Sequence, residues 1–145
     1  MFILIKKYKN ISKTERQILN YTFFWLMLGF VLARLIPLRW FSSMLGDFQK
    51  ENQINLSIEQ KETIRLVKKN IRRLKKRLPW KVKCFEEAIA AKKVLEKWGV
   101  KSTLYLGVKK GEKEKMMAHA WLISGEEKIT GEKGYEKFTI VGCYA

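Results

Sequence analysis

Residues 78–100 read LPWKVKCFEEAIAAKKVLEKWGV, and the point at which this stretch turns helical decides the fold. Pro79 stops the helix before it, because proline lacks a backbone donor and clashes with the preceding turn. The next few residues form a short extended loop. A second helix starts near Cys84, rich in Ala, Glu and Lys, with Glu86 and Glu87 in its first turn and Lys97 near its end. Gly99 caps it. Phe85, Ala88, Ile89, Lys92 and Leu95 form a mixed stripe, so this helix packs closely through its small residues.

Downstream, the period changes from helical to alternating. KSTLYLGVKK alternates at Leu104, Leu106 and Val108; a charged turn from Gly111 to Lys115 separates it from MMAHAWLIS; KITG and KFTIVGCYA follow. Upstream, Ser57 reads as the N-cap of a helix from Ile58, with Ile64, Val67, Ile71 and Leu74 at helical spacing. Its other faces carry Arg65, Lys68, Lys69, Arg72, Arg73, Lys75, Lys76 and Arg77. Such a run reads either as a solvated face or as a site for an anionic partner. Residues 46–57 are polar and read as a linker. Before them, no charge appears from Gln17 to Ala33. That segment is short for a membrane span of about 20 apolar residues. Asn20, Thr22 and Arg34 weaken a spanning reading further, so a buried or membrane-touching helix is preferred. Pro37 ends it, and no small-residue cleavage site follows that would mark a signal peptide.

Helices first and an antiparallel sheet afterwards make an α+β chain: N-terminal helices, a catalytic helix, then a small sheet. The expected organisation is an N-terminal apolar helix and linker over residues 1–56 and a core over residues 57–145. The formal charge of +16 calls for an acidic partner without choosing among nucleic acid, an anionic membrane and an acidic peptide. Nucleic acid is disfavoured, since neither aromatic interleaving nor a DNA-reading motif accompanies the charge. Two cysteines, Cys84 and Cys143, are too few for a disulfide framework and suit reduced thiols in the cytosol. One histidine cannot complete a Cys/His zinc site, and nothing calls for a metal or cofactor.

That histidine, His119, lies in MMAHAWLIS. It reads as a core residue with a satisfied ring nitrogen or as a general base. Choosing the base requires a nucleophile, and Cys84 stands where one belongs. Helix N-termini carry free N–H groups and a positive dipole end, which favour thiolates. Lys81 and Lys83 add positive charge. A helix-start Cys followed by a strand His is the papain-like and transglutaminase-like layout. A hairpin with Gly125-Glu126 at its turn pairs Ser124 with Glu127 and sets His119 opposite Glu132, a candidate to orient the imidazole. A slip of one residue would bring Gly131 opposite instead. Thr130 or a backbone carbonyl are alternative orienters, and Glu132 also reads as a surface acid.

The string LPWKVKCFEEAIAAKKVLEKWGVKSTLYLGVKK…AHAWLIS…ITG…FTIV resembles the leader peptidases of lasso-peptide biosynthesis. These are small proteins with a transglutaminase-like cysteine protease core. The likeness is close in the C-terminal half and looser in the apolar N-terminal helix. It implies Cys84 as nucleophile and His119 as base. The family's Asp soon after the His strand is absent here, where the sequence is KITGEKG. The resemblance implies a precursor peptide as substrate and a lasso cyclase acting afterwards. A leader-recognition protein is expected as a separate polypeptide, since no room for it precedes the first helix. Two other readings stand beside the peptidase: a transglutaminase-like acyltransferase, and a non-catalytic basic protein at a membrane surface.

Overall fold

The computed structural model describes residues 7–145. Helix α1 (Lys13–Leu35) begins where the Ser12 hydroxyl accepts the Glu15 N–H at 3.1 Å, and it ends as Ile36 turns extended ahead of Pro37. A single turn, α2 (Leu38–Phe41), follows. Helix α3 (Ile58–Lys75) opens on a capping box. The Ser57 hydroxyl accepts from the Gln60 N–H, and the Gln60 side chain accepts from the Ser57 N–H. It buries Ile64, Val67 and Ile71, three of the four stripe residues expected from the spacing. Helix α4 (Cys84–Lys97) starts at the expected cysteine. Gly99, at φ +72, supplies the left-handed residue that closes it, and the Val100 N–H donates to the Leu95 carbonyl at 2.9 Å.

Strands β1 (Thr103–Lys110), β2 (Met116–Ser124), β3 (Glu127–Thr130) and β4 (Thr139–Tyr144) form one antiparallel sheet in the order β3-β2-β1-β4. The protein is therefore α+β, with its helices preceding a small antiparallel sheet. Helix α4 is its centre, packed against α1, α3 and the sheet. Ala88, Ile89, Ala91, Val94 and Leu95 are fully buried there with Leu104 and Leu122 of the sheet. Each buried Leu or Ile contributes about 1.5–3 kcal/mol relative to exposure. Helices α1 and α4 touch at Gly29, where an added Cβ would lie 3.2 Å from the Glu86 carbonyl oxygen. Lys92 of the mixed stripe is buried, and its ammonium donates to the Ser102 carbonyl at 2.8 Å; burial lowers its pKa.

Two expectations change. Residues 46–57 are not a free tether. The Asp47 N–H donates to the Ala145 carbonyl, the Gln49 N–H to the Cys143 carbonyl, and the Asn52 N–H to the Thr103 hydroxyl. The segment covers a sheet edge whose backbone groups would otherwise be open. The β2–β3 hairpin also departs from simple pairing. Ser124 does face Glu127 and Ile123 faces Lys128, but the register then shifts and Leu122 faces Thr130. This bulge carries the chain one residue past the alignment that would set Glu132 opposite His119.

Helix α1 is long and apolar enough to cross a membrane by length and composition. One side of it is buried through Ile18, Thr22, Leu26 and Gly29, while Phe23, Phe24, Met27, Val31 and Leu35 remain exposed.

Candidate active site

Cys84 is the first residue of α4, half-buried, with a free thiol. The N-terminus of this helix is held from beneath. The Glu86 carboxylate, fully buried, receives the Arg34 guanidinium of α1 at 2.7 Å, the Trp80 indole N–H at 3.3 Å and the Lys83 backbone N–H at 3.2 Å. Arg34 also donates to the Lys81 carbonyl. A buried carboxylate needs such partners to stay in place. Their joint effect is to fix the loop that delivers Cys84 to the helix start. Cys143, by contrast, is buried in β4, and desolvation pushes its thiol pKa up.

His119 lies on β2 opposite Gly107 of β1. Strand alternation sends Ala120 and Leu122 into the core beneath α4 and turns His119 and Trp121 to the other face. There the imidazole lies between aromatic rings, 5.0 Å from Phe138 and 5.8 Å from Trp121 by centroid, and Trp121 is itself stacked on Tyr105 at 5.6 Å. Gly107 makes room for this stack: a Cβ there would approach the Trp121 ring to 2.8 Å and Phe138 Cβ to 2.9 Å.

One hydrogen bond defines the chemistry of the ring. Nε2 of His119 lies 2.7 Å from the Gly131 carbonyl oxygen. A carbonyl only accepts, so Nε2 holds the proton and the neutral ring keeps its lone pair on Nδ1. A histidine set in this way can take a proton at Nδ1. Gly131 has φ +65, and a Cβ there would collide with the Ala120 carbonyl oxygen and lie 2.8 Å from Trp121 Cβ. Only glycine lets the chain after β3 press its carbonyl toward the ring.

Glu132, the expected orienter, is exposed, and among the described residues no hydrogen bond joins it to His119. The bulge takes Glu132 out of the alignment opposite His119, and the group that meets Nε2 is the Gly131 carbonyl. Glu132 and His119 do line the same cleft, of about 550 Å³, with Lys68 and Arg72 of α3, Lys76 at its C-cap and Glu87 of α4. Glu87 is the residue of α4 that lines this cleft, one turn beyond Cys84, which does not line it. Among the described residues no hydrogen bond joins the Cys84 thiol to the imidazole. Cys84 packs against the cluster that holds Ala120 and Leu122, on a face of the sheet that His119 does not share, so the thiol and the imidazole are not brought together here.

Sequence reasoning missed three supports of this arrangement: the Gly131 carbonyl as the chosen orienter, the Gly107 vacancy, and the Arg34–Glu86 pair. The first two had a signal in strand and turn glycines, which often mark close approaches. No group of His, Cys, Asp and Glu suited to a metal occurs among the described residues.

No curated protein and no solved structure matches the chain. A family model, that of the Transglutaminase-like superfamily, matches residues 30–143, a span that begins inside α1, contains Cys84, His119 and strands β1 to β3, and takes in all of β4 but its last residue. With most of its length covered by that match, the chain belongs to the transglutaminase-like superfamily.

Proposed function

We propose that this protein is a cysteine endopeptidase that removes the leader from a ribosomally made lasso precursor peptide. The observation that carries the reading is the His119 Nε2–Gly131 hydrogen bond, which leaves Nδ1 as a base in a chain with a cysteine at a helix start. Nδ1 takes the Cys84 proton as the sulfur attacks the scissile carbonyl. The backbone N–H of Cys84 is a natural donor to the oxyanion. As the intermediate collapses, the C–N bond breaks, the imidazolium protonates the leaving amine and a thioester remains. Water, deprotonated by His119, then releases the carboxylate and restores the thiol. The motif string that resembles lasso leader peptidases supports the substrate class. It also supports a separate leader-recognition protein and a cyclase that acts on the freed amino terminus. A cytoplasmic location fits the free thiols, with the exposed apolar side of α1 available for membrane contact.

An acyltransferase on the same residues would share the thioester and resolve it with an amine in place of water. The experiment is incubation with a leader-bearing precursor, with and without the recognition protein, read by mass spectrometry. Free leader that appears with the native protein and is absent with Cys84→Ala is the expected result. A crosslinked product would indicate acyl transfer. No product under any condition would favour the non-catalytic membrane-surface reading, for which the exposed Phe24, Val31 and Leu35 side of α1 speaks.

A further inference from the structure

The cleft at His119 does not stop at the imidazole. Its other wall is α3 and its C-cap, where Lys68, Arg72 and the capping Lys76 stand four residues apart, and the cap keeps helical φ/ψ, so the three form one row. Two further depressions along α3 continue from it: one shares Lys68 and Arg72, the other Arg72 and Lys76. Several neighbouring cations are already neutralised. Arg65 pairs with Glu62 at 2.6 Å, Lys69 with Glu15 at 2.9 Å, and Lys75 with Glu87 at 2.7 Å. Among the described residues Arg72, Lys76 and Lys133 have no such partner, and all three are exposed. Exposed cations without an acid partner occur elsewhere too, but Arg72, Lys76 and Lys133 are the ones that line the cleft with His119. Only the Lys68 ammonium has an internal use, donating to the Lys128 carbonyl. The cleft holds two acids, Glu87 and Glu132, against five cations.

We propose that the Lys68–Arg72–Lys76 row docks an acidic segment of the peptide substrate beside the bond that is cut. This rests on the peptidase reading of His119 and adds the charge of the substrate to it. The spacing suits an extended chain. Residues four apart on a helix are about 6 Å apart along its axis, and alternate side chains of an extended peptide repeat at about 6.7 Å. Acids at alternate positions of a strand would meet successive cations of the row. A peptide is favoured over a nucleic acid because the row carries no aromatic side chain for stacking and ends on a residue suited to acyl chemistry.

The test uses the full chain carrying Cys84→Ala, so that binding is read without cleavage. The probes are a fluorescein-labelled peptide of alternating Glu and Ser and its Gln-Ser counterpart, followed by anisotropy. The Glu peptide should bind about tenfold more tightly than the Gln peptide and lose affinity as salt is raised. Adding Arg72→Gln and Lys76→Gln should weaken it by about threefold to about tenfold. Lys110→Gln with Lys115→Gln, exposed cations at the β1–β2 turn, should leave it unchanged. Equal affinity for the two peptides, or no effect of the α3 pair, would overturn the proposal. So would tighter, row-dependent binding of a single-stranded oligonucleotide or of vesicles containing phosphatidylserine. Binding that behaves as expected in a protein that cuts no precursor would leave the docking row standing and remove only the peptidase reading. Cleavage unaffected by the α3 pair would do the reverse.

Discussion

Replacing Gly131 by alanine should release His119 from the tautomer that leaves Nδ1 free. The backbone at Gly131 is left-handed, φ +65, which costs an L-residue about 1–2 kcal/mol. The new Cβ would also meet the Ala120 carbonyl and approach Trp121 Cβ to 2.8 Å, so the segment must move. Together these predict a stability loss of about 1–3 kcal/mol, small enough to leave the protein folded. Movement separates the Gly131 carbonyl from Nε2 and ends the 2.7 Å hydrogen bond. A hydrogen bond of about 0.5–1.5 kcal/mol net biases the tautomer ratio by about twofold to about thirteenfold. The assay is long-range ¹⁵N correlation NMR on the neutral imidazole, unambiguous because the chain has one histidine. The native protein should hold its proton on Nε2, and Gly131→Ala should shift the ratio toward Nδ1 by that factor. Turnover should fall with it, in kcat more than in KM, since the base and not substrate binding is affected. A native ring protonated mainly on Nδ1 would refute the reasoning. So would a folded Gly131→Ala protein with an unchanged ratio.

Cys84→Ala should abolish precursor cleavage with the circular dichroism spectrum retained, and His119→Ala should be nearly as damaging, because members of such a site act as a unit. Appreciable activity in either variant would remove that residue from the mechanism. Iodoacetamide at neutral pH should label Cys84 well before Cys143, whose burial raises its pKa and keeps it protonated; equal rates, followed by mass spectrometry, would count against the nucleophile. Glu132→Gln should leave kcat within about twofold, as an exposed substitution does, and a loss of an order of magnitude would restore Glu132 as the orienter. The Tyr105 hydroxyl, partly desolvated and donating to Glu51 at 2.9 Å, has a raised pKa, so its contribution to stability is complete below the ordinary tyrosine range near pH 10 and is lost as pH climbs toward the folded value. Thermal melts should fall across that window and fall less steeply in Tyr105→Phe.

The start of α4 was legible because local chemistry and long-range demand agree there. Pro79 keeps the preceding helix, which ends at Lys75, from running on, two acids suit the next helix's first turn, and small residues allow that helix to become the centre of the fold. The strands were legible from alternation, and Ser57 from its cap. What could not be read depends on contacts between distant residues or on backbone geometry. Arg34 looks like a charge that spoils a membrane span. In the structure it reaches a carboxylate fifty-two positions away and anchors the loop before Cys84. Lys92 looks like a polar interruption of the α4 stripe, and its ammonium is satisfied by a carbonyl of the following turn.

The orienter of His119 shows most clearly why residue types mislead at such a site. A search for a third member looks for a carboxylate, and Glu132 is the acid that unshifted pairing brings to the right place. One bulged residue in β3 takes that acid out of the pairing, and its side chain stands exposed. The position then goes to a backbone carbonyl, a group every residue carries and no composition can reveal. A neutral acceptor fixes the tautomer as a carboxylate does, but supplies less stabilisation to the imidazolium. Among the described residues no acid is bonded to the ring to make up for that. If the thiolate and imidazolium form as a pair, they must stabilise one another, and the bond from Nε2 to Gly131 serves mainly to aim the ring. That division of labour makes Gly131, and not Glu132, the residue whose substitution should separate aim from charge.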